Sequence, residues 1–163
     1  MNATRLIAAL AMALLSACSK DAPVEPAAVA AAPAVTLYFS AAEGLNPGAT
    51  GTPAPVRVRI FELKNTAAFA RADYFSLADR AQATLAADLI DQDEVLLHPG
   101  EQLRLERPLD PATRHIGLVV GYREVDQAQW RSVLPVPPRD YQISLDVRAV
   151  RSAVATPQPE PAR

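Results

Sequence analysis

Val56-Arg57-Val58-Arg59-Ile60-Phe61-Glu62-Leu63 is the stretch whose pattern decides the architecture. Val56, Val58 and Ile60 alternate with Arg57 and Arg59, the period of a strand with one buried and one solvated face. After Ile60 the phase changes, because the next apolar residues are Phe61 and Leu63. Either a bulge re-aims the chain or something packs over the second face.

Further strands lie on both sides of this stretch. Upstream, Val35–Ser40 (VTLYFS) is β-branched and aromatic. Downstream, Leu103 and Leu105 alternate with Arg104 and Glu106. Ile116, Leu118, Val120 and Tyr122 share a face, with Gly117 and Gly121 on the other, where a neighbouring backbone is expected to pack closely. Trp130–Val136 reads as a strand ended by Pro137-Pro138, and Tyr141–Ala149 as one long alternating strand. One region has a different period. Leu77, Ala81, Leu85 and Leu89 recur every four residues, the apolar stripe of a helix, with Ser76 as its expected cap. A shorter helical turn precedes it, with Asn65 or Thr66 as cap and Phe69 buried. Strands with one helical insertion at about residues 65–90 predict a mainly β fold. The expected architecture is a two-sheet β-sandwich with the small helical insertion after the second strand, covering Phe61 and Leu63.

The ends differ from this core. Arg5 precedes an apolar run, Leu6–Leu15, and then Ser16-Ala17-Cys18. This is the pattern of a secretory signal, and with cysteine after the cleavage point it resembles a bacterial lipobox. Residues 6–17 would span only about 18 Å as a helix at ~1.5 Å per residue, well short of the ~30 Å bilayer core. The lipobox resemblance implies a signal peptide over 1–17, cleaved between Ala17 and Cys18. It also implies a covalent diacylglycerol and an N-acyl chain on Cys18, with no other cofactor. Ser19 in place of aspartate points by the same resemblance to the outer membrane. Residues 18–34 are read as the lipidated cysteine and a Pro/Ala-rich flexible tether, residues 35–151 as the domain, and 152–163 as a disordered tail.

Of the 163 residues, 16 are basic and 18 acidic, a net charge of −2. Nothing in that balance points to nucleic acid or to electrostatic membrane binding. Cys18 is the sole cysteine, so the domain has no disulfide and must be held by its core. The residues carry no catalytic constellation: there is no Gly-rich phosphate loop and no nucleophile elbow, and no enzyme activity is expected. His98, in a Pro99-Gly100 turn, and His115 are read as unrelated histidines. Asp88, Asp91, Asp93 and Glu94 form an acidic cluster read as a solvated loop after the helix. A calcium site there, or a sugar stacked on Trp130, is the alternative reading: a periplasmic ligand-binding lipoprotein.

Ala41–Pro55 stands out. Fifteen residues is long for a connection in a compact domain, and this one holds three glycines and three prolines, with Leu45 its one large apolar residue. It is read as a protruding element between the first two strands, suited to partner recognition or serving only as a connector.

The segments Leu45-Asn46-Pro47, Pro55–Lys64, Phe69 with Ala72–Leu77, Asp88-Leu89, Leu97–Glu101, Gly117–Val119, Tyr122-Arg123 and Ala128–Arg131 resemble, in this order behind a lipobox, the TssJ (VasD, SciN) lipoproteins of type VI secretion. The likeness runs from about residue 35 to 150. It departs from the family pattern at Ala78, where an aromatic is expected, and at Ala86, where glycine is expected; both are read as packing variation. The resemblance implies a transthyretin-like sandwich. It implies a place in the secretion membrane complex, with the periplasmic C-terminal domain of TssM as partner and TssL as an indirect one. It assigns the contact to the first inter-strand loop, here Glu43, Gly44, Leu45, Asn46, Pro47, Gly48, Ala49, Thr50, Gly51, Thr52 and Pro53, with Leu45 as the side chain a partner would bury.

Overall fold

The computed structural model describes residues 33–156. Its strands are β1 (Ala34–Ala41), β2 (Val56–Leu63), β3 (Leu89–Leu97), β4 (Gln102–Pro108), β5 (His115–Val120), β6 (Arg131–Pro135), β7 (Asp140–Leu145) and β8 (Val150–Val154). Two helices, α1 (Ala67–Arg71) and α2 (Tyr74–Leu85), follow β2. The strands form two four-stranded sheets, in the orders β4-β1-β7-β8 and β3-β2-β5-β6. β1 and β7 run parallel; the other neighbouring strands pair antiparallel.

The alternation in the sequence becomes the sandwich core. Val35, Leu37 and Phe39 with Tyr141, Ile143 and Leu145 face Val56, Val58 and Ile60 with Ile116, Leu118 and Val120, all buried in one cluster. Each fully buried aliphatic side chain contributes roughly 1.5–3 kcal/mol.

Of the two expected causes of the pattern change in β2, the helical cover is the one that acts: β2 keeps its parity against β5 through Leu63, and the bulge lies in β3, at Ile90. The outer face of β2 is covered: Phe61, Leu63 and Val119 bury against Phe69, Leu77, Ala81 and Leu85 of the helices in a second core. Gly117 explains how close the helix comes. A Cβ on Gly117 would stand 2.7 Å from the Phe69 ring and 3.1 Å from Leu63. The close neighbours at this glycine are thus side chains, not the backbone expected.

Asp73, rather than Ser76, caps α2: its carboxylate accepts from the Ser76 N–H at 2.9 Å and the Ser76 hydroxyl at 2.6 Å. Those two donors hold the Asp73 carboxyl below the usual carboxylate range. The helix is kinked at Arg80, and the Thr84 hydroxyl donates to the Ser76 carbonyl at 3.0 Å. Leu89 does not continue the stripe but begins β3. Ala86 follows α2 with φ +46. Its departure from the family pattern is therefore a backbone matter, not packing variation, since that conformation favours glycine.

Three further expectations change. The acidic cluster is a strand: Asp91, Asp93 and Glu94 lie on β3, an edge of its sheet. Asp91 and Asp93 share the inward parity of Glu62 and Ile60, and both meet Arg107 of β4. Arg107 donates to Glu62 at 2.9 Å, Asp93 at 2.9 Å and Asp91 at 2.5 Å. Glu62 in turn accepts from the Thr113 hydroxyl at 2.7 Å and the Asp110 N–H at 3.1 Å. This network clips the two sheets together along the β3–β4 margin. The alternation from Tyr141 to Ala149 is not one strand: β7 stops at Leu145, and Asp146 donates its N–H back to Ala149 in a turn. The segment from Ser152, expected as a disordered tail, is β8 as far as Val154, with Ser152 and Ser132 hydroxyls 2.7 Å apart across the opposite margin.

Candidate docking site at the loop end

Antiparallel topology gathers four connections at one end of the sandwich: Ala42–Pro55, His98–Glu101, Gly121–Trp130 and Asp146–Ala149. The first is built in two parts. Its base is fixed. Leu45 and Asn46 are buried, Leu45 completely, and Leu45 belongs to the main core. The Leu45 N–H donates to Ala42 and its carbonyl accepts from Ala54, both at 3.0 Å. Asn46 sits at φ +48, a conformation asparagine tolerates better than most residues. Its side chain donates to the Pro55 carbonyl at 2.9 Å and accepts from the Arg123 N–H at 2.8 Å, while its own N–H donates to Val147 at 3.1 Å. One asparagine therefore joins three of the four connections.

The tip is different. Gly48 and Thr52 close a small turn (N–H to carbonyl, 2.9 Å), with Gly51 at φ +78. Ala49, Thr50, Gly51, Thr52 and Pro53 are exposed. The expected loop thus divides. Leu45 is unavailable to a partner because its own core already buries it, which corrects its assignment as contact anchor. Glu43 and the five tip residues are exposed, and Gly44, Pro47 and Gly48 are half-buried.

The neighbouring connections, which sequence reasoning left out, brace this end. The Gly100 N–H donates to Ala42 at 3.3 Å, and a Cβ on Gly100 would meet the Glu43 carboxylate at 2.8 Å. Glu124 and Arg148 pair at 2.7 Å. The Tyr122 hydroxyl donates to the Asp146 carbonyl at 3.2 Å, and burial, with the Asp146 charge second, pushes that phenol far above its usual pKa. Tyr122 is thus a neutral, fixed strut. The signal for these partners lay in Gly100 and Arg123, but no spacing rule links Asn46 to either.

The other candidate groups are engaged elsewhere. Asp91 and Asp93 are occupied by Arg107. Trp130 packs edge-on to Tyr74 at 5.5 Å beneath the Arg131 guanidinium at 4.9 Å. The His98 backbone N–H donates to the Glu101 carboxylate at 2.7 Å, and His115 lies on β5, paired with Leu63 and Pro135, its Nδ1 enclosed without a partner. Among the described residues no three His, Cys, Asp or Glu side chains group as metal ligands, and no helix is long and apolar enough to cross a membrane. Ala17 and Cys18 lie outside the described residues.

Residues 33–151 match the model of the family described as "Type VI secretion lipoprotein, VasD, EvfM, TssJ, VC_A0113". The chain belongs to the TssJ family of type VI secretion lipoproteins. No curated protein matches it. Among solved structures, the TssJ family lipoprotein TssJ1 from Pseudomonas aeruginosa is 49% identical, with a TM-score of 0.74 over 78% of this chain and 99% of that one. Lip from Serratia marcescens, described as a membrane bound component of the type VI secretion system, is 28% identical, with a TM-score of 0.70 over 74% and 96%. A chain from a structure described as the TssM C-terminal domain (869-1107) from EAEC is 31% identical, with a TM-score of 0.64 over 75% and 98%. The TssJ fold is therefore the fold seen here, helical insertion included.

Proposed function

We propose that this TssJ family lipoprotein is held to the outer membrane by acyl chains on Cys18 and docks the periplasmic C-terminal domain of TssM with its loop end. Through TssM it is connected to TssL, and its role is structural, without catalysis. The observation that carries this reading is the division of the first loop: a base locked by Leu45 and Asn46 presents an exposed tip, Ala49–Pro53, in a fixed direction. A preorganised tip loses little conformational freedom on binding, which favours affinity. The membrane-bound relative from Serratia and the TssM structure from EAEC support the setting.

The test has two arms. Cys18→Ser, which removes the acylated sulfur, should leave the domain folded and able to bind TssM but release it from the membrane and stop secretion. Shortening the tip by removing Ala49–Thr52 should leave the membrane attachment and weaken TssM binding. Secretion by Cys18→Ser at native expression, or unchanged TssM binding by the shortened loop, would refute the corresponding half.

A further inference from the structure

The second sheet carries an exposed apolar surface beside the loop end that neither core explains. Phe75 is 60% exposed and Leu96 57%, more than any other large apolar side chain among the described residues. Leu96 lies on β3 and Phe75 on α2, and the path between them runs through the sheet to Tyr74. Leu96 of β3 pairs with Arg57 of β2, and the Gly121 N–H donates to the Arg57 carbonyl at 2.8 Å, so the three lie in one row across the outer face. Gly121 lacks a side chain where the Tyr74 hydroxyl lies; a Cβ there would be 3.0 Å from it. From Tyr74 the surface continues in two directions, to Phe75 at 5.3 Å and to Trp130 at 5.5 Å, both edge-on, and Arg131 stacks on Trp130.

The charge around this row is net positive. Arg57 and Arg59 share a single carboxylate, Glu94, at 3.6 and 3.9 Å. Arg131 donates to the Phe69 and Ala72 carbonyls at 3.2 and 3.0 Å instead of to an acid. Asp73, the nearby carboxylate on the helix, is tied to Ser76 as the cap. Three guanidiniums thus border an aromatic and aliphatic surface against two carboxylates, Glu94 and Asp73, both already engaged, which leaves the face net positive. Aromatic side chains and arginine are the types enriched where protein interfaces concentrate their energy. The row is also continuous with the loop end, because Val56 opens β2 directly after the first loop and Gly121 opens the Gly121–Trp130 connection.

We propose that Leu96, Arg57, Tyr74, Phe75, Trp130 and Arg131 form a second docking face, taken by a segment of the periplasmic partner that carries carboxylates among aliphatic side chains. This rests on the docking role proposed above. It makes the contact two-sided: the loop tip meets the partner end-on, and the cationic aromatic face grips it laterally.

The test is titration calorimetry of the full lipidated chain in detergent with the purified periplasmic domain of TssM from the same system, using Phe75→Ser and Arg57→Glu beside the variant lacking Ala49–Thr52. Both side chains are exposed, so both substitutions should leave the unfolding midpoint unchanged. Each should weaken binding about tenfold, as for side chains at the energetic centre of an interface, with Arg57→Glu also flattening the salt dependence. Affinity for both within about twofold of the parent, while the shortened loop loses binding, would overturn the second face and leave the docking role standing. Loss of binding in the face variants alone would support the face and refute the loop. Absence of binding by the parent would overturn both. Retained TssM affinity with Phe75-dependent capture on phosphatidylglycerol vesicles would make the face a lipid contact and overturn the proposal.

Discussion

Leu45→Ala separates a core residue from a contact residue. Leu45 is fully enclosed, and its backbone is pinned on both sides by hydrogen bonds to Ala42 and Ala54. A pinned site cannot collapse around a lost isobutyl group, so the cost should be about 3 kcal/mol, within the range of about 2–5 for such truncations. For a domain of this size that is roughly 10 °C in Tm, at about 3–4 °C per kcal/mol. In urea it is a midpoint shift of roughly 2 M, at about 1.5 kcal/mol per M. Trp130, the single tryptophan, touches both cores and reports unfolding by fluorescence. The soluble domain should unfold at correspondingly lower urea, and its TssM affinity, measured where it is still folded, should fall far less than on removal of the tip. A stability loss under about 1 kcal/mol together with lost TssM binding would refute this: Leu45 would then be an anchor for the partner and not part of the core.

Glu62→Ala leaves Arg107 buried with only two exposed acids and should cost about 3–5 kcal/mol, whereas Asp91→Ala should cost under about 1; equal effects in urea unfolding would refute the clip. Gly117→Ala should destabilise by about 1–3 kcal/mol through overpacking against Phe69, with Phe69→Leu in the same chain restoring part of it in a thermal melt. Ala86→Gly should stabilise by about 1 kcal/mol, because it relieves a backbone conformation that alanine adopts at a cost; an unchanged melting temperature would contradict this. Asp73 is depressed in the folded state, so its contribution is complete above the ordinary aspartate pKa and is lost as pH falls through the lower folded value. The stability gap between the parent and Asp73→Ala should therefore be flat from about pH 5 to 8 and close only below about pH 4.

What was legible in the sequence was what periodicity controls. The apolar residues Phe61 and Leu63 foretold the helical cover, because a strand that buries both faces must have a second layer; the bulge offered as the other reading lies in β3 and leaves the alternation of β2 intact. Periodicity failed where two structures share a period. Val147 keeps the alternation going through the turn after Leu145, so β7 and the turn read as one strand, and β8 beyond it went unread. Asp91 and Asp93 looked like loop because aspartate is rare in strands; their partner, Arg107, is distant in sequence and no local pattern points to it. Leu45 was misassigned for a related reason. A lone large apolar residue among glycines and prolines looks exposed until the rest of the domain is folded around it. The exposed tip Ala49–Pro53 lies in the loop that length and composition marked out; its assignment as a partner contact came from the family resemblance. Asn46, which aims them, was named in the loop, but its role needs Pro55, Arg123 and Val147 in place.

β1 begins at one end of the sandwich and delivers the chain to the first loop at the other. Tension applied at Pro33 and resisted at the loop tip therefore runs along a single strand. That strand is flanked on both sides, by β4 and by β7, so its ladder hydrogen bonds are loaded together in shear instead of being unzipped one by one. The two sheets need not slide past each other for such a pull to be carried, and the helices and the second core lie off the line of force.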